Sequence, residues 1–148
     1  MKARGLYIMS STNDYEIIDH TADIGIKVMG NTLSNVIEKS IMALSNLMIG
    51  KVKIIGKEER KFNIEEENTE IALVRILEEI LYLFENQKFA VSRCKVNKKK
   101  NNYEIKLKGK VYDLEEIEGA TEIKAVTYHK LSVKQINDNW MATVIFDI

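Results

Sequence analysis

The sequence predicts an α+β fold in which two amphipathic helices pack on an antiparallel β-sheet within a single domain. Apolar residues recur at the three-and-four spacing of a helix in two segments, one between Thr32 and Gly50 and the other after Asn68. Beyond Phe89 apolar and polar residues alternate, as in strands that bury one face. The chain has 148 residues, 45% of them hydrophobic, which suffices for one sizeable core.

The folded unit is predicted over residues 14–148, with residues 1–13 as a flexible N-terminal extension that ends in small polar residues. Residues 15–18 and 24–29 have the composition of strands. A polar connection, residues 19–23, joins them, and Gly30 with Asn31 breaks the second run. The domain is therefore expected to open with two strands.

Each helix has recognisable ends. Asn31 or Thr32 is the expected cap of the first helix and Gly50 its stop. Asn68 or Thr69 caps the second helix, where the charge of Glu70 suits the positive end of the helix dipole. Residues 51–64 are expected to form strand and turn between the two helices.

The end of the sequence predicts a hairpin, in which residues 124–136 and 140–148 flank the turn at residues 137–139. Alternation along its second strand puts Phe146 on the apolar face and Asp147 on the other. A second turn is expected at Lys98-Lys99-Lys100-Asn101-Asn102. A solvated loop is favoured there over a nucleic-acid-binding patch, because charged hairpin tips stay in water.

Composition limits the partners that this chain can have. Its 22 basic and 22 acidic residues cancel, so the whole protein has no general attraction to phosphate backbones or anionic lipid. Any nucleic-acid role is expected to be local or indirect. No export signal and no sufficiently long apolar segment is seen, so we expect a cytoplasmic protein without membrane association. The lone cysteine, Cys94, fits a reducing compartment and is expected to be a small core residue.

Three carboxylates are candidates for a metal site. Asp147 and the terminal carboxylate of Ile148 are adjacent, and Asp23 joins them if the first strands lie beside the last one. Three carboxylates at such short distances repel one another unless a cation neutralises them. A set of oxygen ligands suits calcium or magnesium. From spacing alone, ordinary solvated charges at strand ends remain the simpler interpretation.

The two histidines are weaker candidates. His20 and His129 each follow a residue able to orient the ring, but two histidines without further thiolate or imidazole ligands make a poor zinc site. A structural role is the simpler interpretation for each. The sequence also contains no glycine-rich phosphate-binding loop.

Four features of the sequence resemble the archease family in their order and spacing. They are residues 20–26 (HTADIGI), the helix after Gly30, residues 124–129 (KAVTYH) and the final pair Asp147-Ile148. The resemblance extends over about residues 15–148. It implies a metal site formed by Asp23, Asp147 and Ile148, which favours the site over the solvated charges. Calcium is the expected ion, with magnesium or manganese as alternatives. Further residues expected near the metal or at a partner contact are Asp19, His20, Lys124 and His129.

The resemblance implies a function as well. It is that of a metal-binding accessory protein, not an enzyme, that activates an RtcB-type RNA ligase in tRNA splicing or RNA repair. RNA would be reached only through the ligase, whose guanylylation and repeated turnover the protein would promote. Two alternatives stay open: a metal-dependent hydrolase that uses Asp23 and Asp147, and a general chaperone or scaffold. The sequence departs from many relatives at Lys110 and Ile117, so the loop over residues 113–122 is expected to differ in shape.

Overall fold

Two capped helices and nine strands form the described part of this computed structural model, which comprises residues 6–8, 15–19, 23–53 and 55–148. The helices are α1 (Leu33–Ile49) and α2 (Thr69–Gln87). The strands are β1 (Leu6–Ile8), β2 (Tyr15–Asp19), β3 (Asp23–Gly30), β4 (Glu58–Glu65), β5 (Phe89–Lys99), β6 (Asn102–Val111), β7 (Ala125–Val126), β8 (Ser132–Ile136) and β9 (Asn139–Asp147).

Both helices begin at side-chain caps that the sequence predicts. Thr32 Oγ1 accepts a hydrogen bond of 3.0 Å from the Asn35 backbone N–H, and Asn68 Oδ1 accepts one of 2.9 Å from the Ile71 N–H. These bonds satisfy donors that a helix start otherwise leaves unpaired. Gly50 ends α1 with a φ of 74°, which a glycine adopts without strain. The predicted helices are thus confirmed.

The larger sheet has the strand order β1-β2-β3-β9-β7, and β8 pairs with the same edge of β9 as β7 does. All these pairs are antiparallel. β9 therefore lies inside the sheet, between β3 on one side and β7 and β8 on the other. The pairing of β1 with β2 adds a strand within residues 1–13, whose flexibility stays a prediction.

The prediction that residues 124–136 form one strand of the last hairpin is wrong. The segment is divided into β7 and β8 by a turn in which Lys130 has a φ of 53° and the Leu131 N–H donates to the Tyr128 carbonyl. A turn of this kind cannot continue a strand, because its backbone groups bond locally. The final turn itself lies at Asn137, with a φ of 56°, as the sequence predicts.

The prediction of continuous alternation after Phe89 is also wrong over residues 112–124. This stretch contains a short 3₁₀ helix, Leu114–Glu116, and a single bridge between Gly50 and Glu118. Its backbone forms hydrogen bonds with the end of α1, where the Thr121 N–H donates to the Leu47 carbonyl at 2.8 Å. Hydrogen bonds to a helix end replace the ladder of a strand here.

The smaller sheet has the strand order β4-β6-β5. β5 and β6 form a hairpin whose tip contains Lys100 with a φ of 56°, so the predicted exposed turn is confirmed. A bulge shifts the register of β5 between Val91 and Arg93. Beside this bulge the Ser45 hydroxyl of α1 accepts a bond of 3.0 Å from the Val91 N–H and donates one of 3.3 Å to its carbonyl.

One hydrophobic core joins the helices to both sheets. Its fully buried members include Ile26 of β3, Leu44 of α1, Leu77 of α2, Ile105 of β6 and Phe146 of β9. The inner face of each sheet thus packs on the helix pair, and the outer face of each is directed away from it. This arrangement confirms a single α+β domain. Within the described residues no helix combines the length and apolar character that crossing a bilayer requires.

Lys110 and Ile117 both take part in local packing. Lys110 Nζ lies 3.6 Å from Glu116 Oε2 and 4.8 Å from the ring centre of Tyr112. Ile117 packs on a small cluster that contains Ile49 and Tyr112. The Lys110 contacts hold the loop after β6 together, and the Ile117 contacts pack it against the end of α1.

Candidate metal centre

Asp23 and Asp147 lie directly opposite each other at one end of the larger sheet. β3 begins at Asp23, β9 ends at Asp147, and the antiparallel register pairs the two residues. Side chains of directly paired residues project from the same face of a sheet. The next pair, Ile24 and Phe146, is buried in the core, so the two carboxylates belong to the outer face.

A third strand fixes Asp147 from its other side. Ala125 of β7 pairs with Asp147, and the Lys124 N–H donates a bond of 2.7 Å to the Asp147 carbonyl. Next along the strand, Thr127 donates to the Ile145 carbonyl from its backbone N–H at 3.0 Å and from its hydroxyl at 2.8 Å. Asp147 is therefore held between two paired strands, and the exposed residue Lys124 lies beside it.

The Asp23 carboxylate has an unsatisfied oxygen. Asp23 is half-buried, and its Oδ1 is shielded from solvent without accepting a hydrogen bond from any described residue. A buried carboxylate oxygen without a donor or cation is unfavourable, because it has lost its hydration. Asp147 opposite is exposed, so an ion can reach the pair from solvent. These residues fit a bound cation.

Gly25 explains part of the HTADIGI segment. It pairs with Ile145, two residues along from the acids on the same outer face. A Cβ atom at Gly25 would lie 2.7 Å from Ile145 Cδ1 and 3.1 Å from the Val144 carbonyl oxygen, so a larger residue would displace the isoleucine side chain. Neither Gly25 nor Ile145 was predicted as a site residue, and the glycine within a strand was the available signal. Gly25 and Ile145 together form a small apolar surface beside the carboxylates.

The remaining candidates differ in how near they lie to this pair. Ile148 follows Asp147 directly and packs partly on the core. The backbone of Asp19 pairs with Ile24, next to Asp23. The Asp19 side chain and all of His20 lie outside the described residues. His129 is exposed in the turn after β7, and its backbone N–H donates a bond of 3.2 Å to Thr127 Oγ1.

The donor set at this site consists of oxygen atoms. Among the side chains that the structure describes, no group of three or more histidine, cysteine, aspartate or glutamate residues could hold a metal ion. Asp23 and Asp147 supply two carboxylates, and other oxygen atoms would have to complete the six to eight ligands that calcium takes. Such a set suits a hard cation and not zinc.

Cys94 is unsuited to nucleophilic chemistry. Burial, with a smaller contribution from the charge of Glu38, raises the pKa of the thiol from 9.0 to about 12. Its Sγ lies 3.5 Å from the Glu38 carbonyl oxygen. A thiol with such a pKa stays protonated at neutral pH, whereas the thiolate is the reactive form. This supports the structural role expected from the sequence.

The fold and these contacts define a small α+β protein with paired aspartates on adjacent strands of its larger sheet. Comparison with known proteins assigns the family. Residues 15–148 match the model of the archease protein family (MTH1598/TM1083). The chain belongs to the archease family.

Individual relatives cover nearly the whole chain. Protein archease of Methanosarcina barkeri is 37% identical over 144 residues, covering 94% of this chain and 99% of the relative. Protein archease of Thermococcus gammatolerans is 36% identical over 139 residues, covering 90% of this chain and 98% of the relative.

Solved structures agree with this assignment. The solution structure of Methanobacterium thermoautotrophicum protein 1598 matches with a TM-score of 0.73 and 25% identity, covering 93% of this chain and 100% of that one. The crystal structure of an archease from Thermotoga maritima, described as a possible chaperone, matches with a TM-score of 0.63 and 26% identity. It covers 88% of this chain and 94% of that one.

Proposed function

We propose that this chain is an accessory protein that activates an RtcB-type RNA ligase in tRNA splicing or RNA repair, and that it is not itself an enzyme. It would promote guanylylation of the ligase and repeated turnover. The observation that carries the proposal is the pairing of Asp23 with Asp147, together with the buried, unpartnered Asp23 Oδ1. Membership of the archease family supports it.

Asp23, Asp147 and the terminal carboxylate of Ile148 would hold one divalent ion. Calcium suits an all-oxygen set, and magnesium or manganese are the alternatives. When bound, the ion neutralises the repulsion among the carboxylates and offers a positive charge to an incoming phosphate or carboxylate. The acids then face the ligase active site transiently and help to position its metal or nucleotide.

The segment beside the acids is suited to contact the ligase. Lys124 is exposed next to Asp147, and Tyr128, four residues further on, has 57% of its surface exposed. Exposed aromatic residues are enriched at the centres of protein interfaces. His129, also exposed, follows directly. Asp19 and His20 would border the same contact.

Multiple-turnover RNA ligation by the cognate ligase tests this function. The parent protein is expected to raise the number of turnovers, whereas Asp23→Asn and Asp147→Asn, which keep the volume of each side chain, are expected to abolish the stimulation. Asp138→Asn, a change at an exposed turn residue, is the matched control and should stimulate like the parent. Thermal melts followed by circular dichroism in chelator verify that each variant is folded.

A folded Asp23→Asn variant that stimulates ligation like the parent would make the acids structural and sink the proposed mechanism. Phosphodiester hydrolysis by the purified chain and its metal, with no ligase present, would instead favour the metal-dependent hydrolase. In that case Asp23→Asn should remove the hydrolysis.

The terminal carboxylate can be tested separately. A few residues added after Ile148 convert its carboxylate to a neutral amide carbonyl, so calcium affinity is expected to fall. The same tag before Met1 should leave the affinity unchanged. Isothermal titration calorimetry of the two tagged proteins measures the difference, and equal affinities would exclude the terminal carboxylate as a ligand.

A chaperone function is the second candidate, because the Thermotoga maritima relative is described as a possible chaperone. It predicts that the chain suppresses thermal aggregation of unrelated proteins. Light scattering of such a client, with the parent and with Asp147→Asn, separates the two functions. Equal protection by both proteins together with no effect on ligation would favour the chaperone.

A further inference from the structure

The outer face of the smaller sheet carries a row of lysines across its three strands. Lys61 of β4 pairs with Lys106 of β6, and Lys106 pairs on its other side with Lys95 of β5. All three side chains are exposed. Like charges directly opposite one another on neighbouring strands repel and destabilise the sheet. Packing of the apolar inner face in the core must therefore offset the repulsion among these three lysines.

The next row extends the positive charge. Lys108 of β6 pairs with Arg93 of β5 and with Glu59 of β4. We call Lys61, Lys95, Lys106, Lys108 and Arg93 the basic face. It lines an open groove of about 680 Å³, in a chain whose net charge is 0.

The cations of the basic face form no ion pair among the described residues, although Glu59 lies opposite Lys108 and Glu104 lies two residues from Lys106 on the same face. The ion pairs recorded within the described residues are Arg75 with Glu66 and Lys110 with Glu116, neither of which involves the face. Glu59 is the only acid in the two rows. The two rows therefore carry a net positive charge, which an anion would stabilise by reducing the repulsion between neighbouring lysines.

We propose that the basic face binds the phosphodiester backbone of a nucleic acid strand. Adjacent strands of a sheet are about 4.8 Å apart, and alternate residues of one strand about 6.8 Å apart, so the five cations form a compact grid. A single small anion contacts only part of such a grid, whereas consecutive phosphates of one strand contact several cations together. Binding then releases several counterions at once, which is the main source of affinity for a polyphosphate.

The other side chains of the face are unsuited to base stacking and to membrane insertion. None of the residues that line the groove is aromatic, and none is among the exposed large apolar residues of the described chain. Bases need aromatic platforms for stacking, and a bilayer needs apolar side chains that insert. We therefore expect sequence-independent binding, similar for RNA and DNA, with a Kd of about 10⁻⁴ to 10⁻⁶ M at physiological salt.

Fluorescence anisotropy of a labelled single-stranded RNA and of the DNA of the same sequence tests the proposal over a range of salt concentrations. The variant with Lys61→Gln, Lys95→Gln and Lys106→Gln should bind both at least about tenfold more weakly at low salt, and its salt slope should fall by roughly 2, or about 0.7 for each lost contact. The matched control carries Lys51→Gln, Lys53→Gln and Lys134→Gln, which removes the same charge from exposed sites outside the face. It should bind like the parent.

A second variant, with arginine at the three face positions, keeps the charge and should retain binding even if the glutamine variant is destabilised. Equal weakening by the control set would show an effect of net charge alone and overturn the proposal. So would tight binding of polyglutamate with no binding of RNA or DNA, which would make the face a site for an acidic protein. Because the assay contains no ligase and no divalent metal, its result is independent of the proposed activation of the ligase.

Discussion

The two sheets of this protein pack on the same pair of helices, but one end of the larger sheet carries an acidic pair, whereas the outer face of the smaller sheet is mainly basic. In the larger sheet, Asp23 pairs with Asp147 beside the apolar surface of Gly25 and Ile145. The smaller sheet carries rows of lysine and arginine. Both inner faces contribute to one core. The difference shows that a neutral net charge can hide two separate charged surfaces. Composition alone describes neither of them.

We expect calcium binding at the aspartate pair and RNA binding at the basic face to be lost independently of each other. Asp147→Asn should lower calcium affinity by more than about tenfold, since even a change in an outer-shell partner of a metal costs that much. It should leave RNA binding in the absence of divalent metal unchanged. The triple glutamine variant of Lys61, Lys95 and Lys106 should do the reverse. Calorimetry and anisotropy on both proteins measure this, and loss of both activities in either variant would contradict separate faces.

The inner face of the larger sheet should dominate stability. Phe146→Ala removes a fully buried ring from β9 and is expected to lower the free energy of unfolding by about 3–5 kcal/mol. Thr143→Ala, on the outer face of the same strand, should change it by less than about 1 kcal/mol. Urea unfolding followed by circular dichroism gives both values. Similar losses for the two variants would mean that the outer face also carries much of the stability.

A hydroxyl that links the smaller sheet to the helices should contribute less. Ser45→Ala leaves the Val91 N–H without its partner beside the β5 bulge, at an expected cost of about 1–3 kcal/mol. Ser40→Ala is the matched control, because the buried Ser40 hydroxyl bonds only to the Val36 carbonyl of its own helix. Urea unfolding should show the larger loss for Ser45→Ala. An equal loss would assign the cost to burial of the hydroxyl and not to the bulge.

The smallest expected effect on stability comes from Cys94, whose thiol lies on the inner face of β5. Because burial raises the pKa of Cys94 from 9.0 to about 12, the unfolded chain loses this proton more easily than the folded one. The contribution of the neutral thiol is full below about pH 9 and is lost as pH rises towards about 12. The stability difference between the parent and Cys94→Ala should therefore shrink from pH 8 to pH 10. A difference that does not change with pH would contradict the raised pKa.

Local structure could be predicted from the sequence because its causes are local. Thr32 and Asn68 cap helices through bonds to residues three positions away, and Gly50 ends α1 through its own backbone angle. The pairing of Asp23 with Asp147 depends on sheet register between distant segments. Spacing alone did not predict it, and the family resemblance did.

The basic face was missed for a similar reason. Its cations alternate within three strands that come together only in the sheet, and the bulge between Val91 and Arg93 shifts the alternation of β5. The contiguous run at Lys98 was more conspicuous but lies in a hairpin tip. Lysines at alternate positions of β6, Lys106 and Lys108, were the signal from which a charged face could have been predicted.

The position of β9 has a consequence for synthesis of the protein on the ribosome. β9 follows every other strand of the described chain in sequence, yet it lies inside the larger sheet, where it pairs with β3 on one side and with β7 and β8 on the other. Until it emerges, β3 has an open edge that can pair wrongly. The two aspartates come together only when β9 inserts beside β3, so the Asp23–Asp147 pair forms only when the centre of the larger sheet is complete.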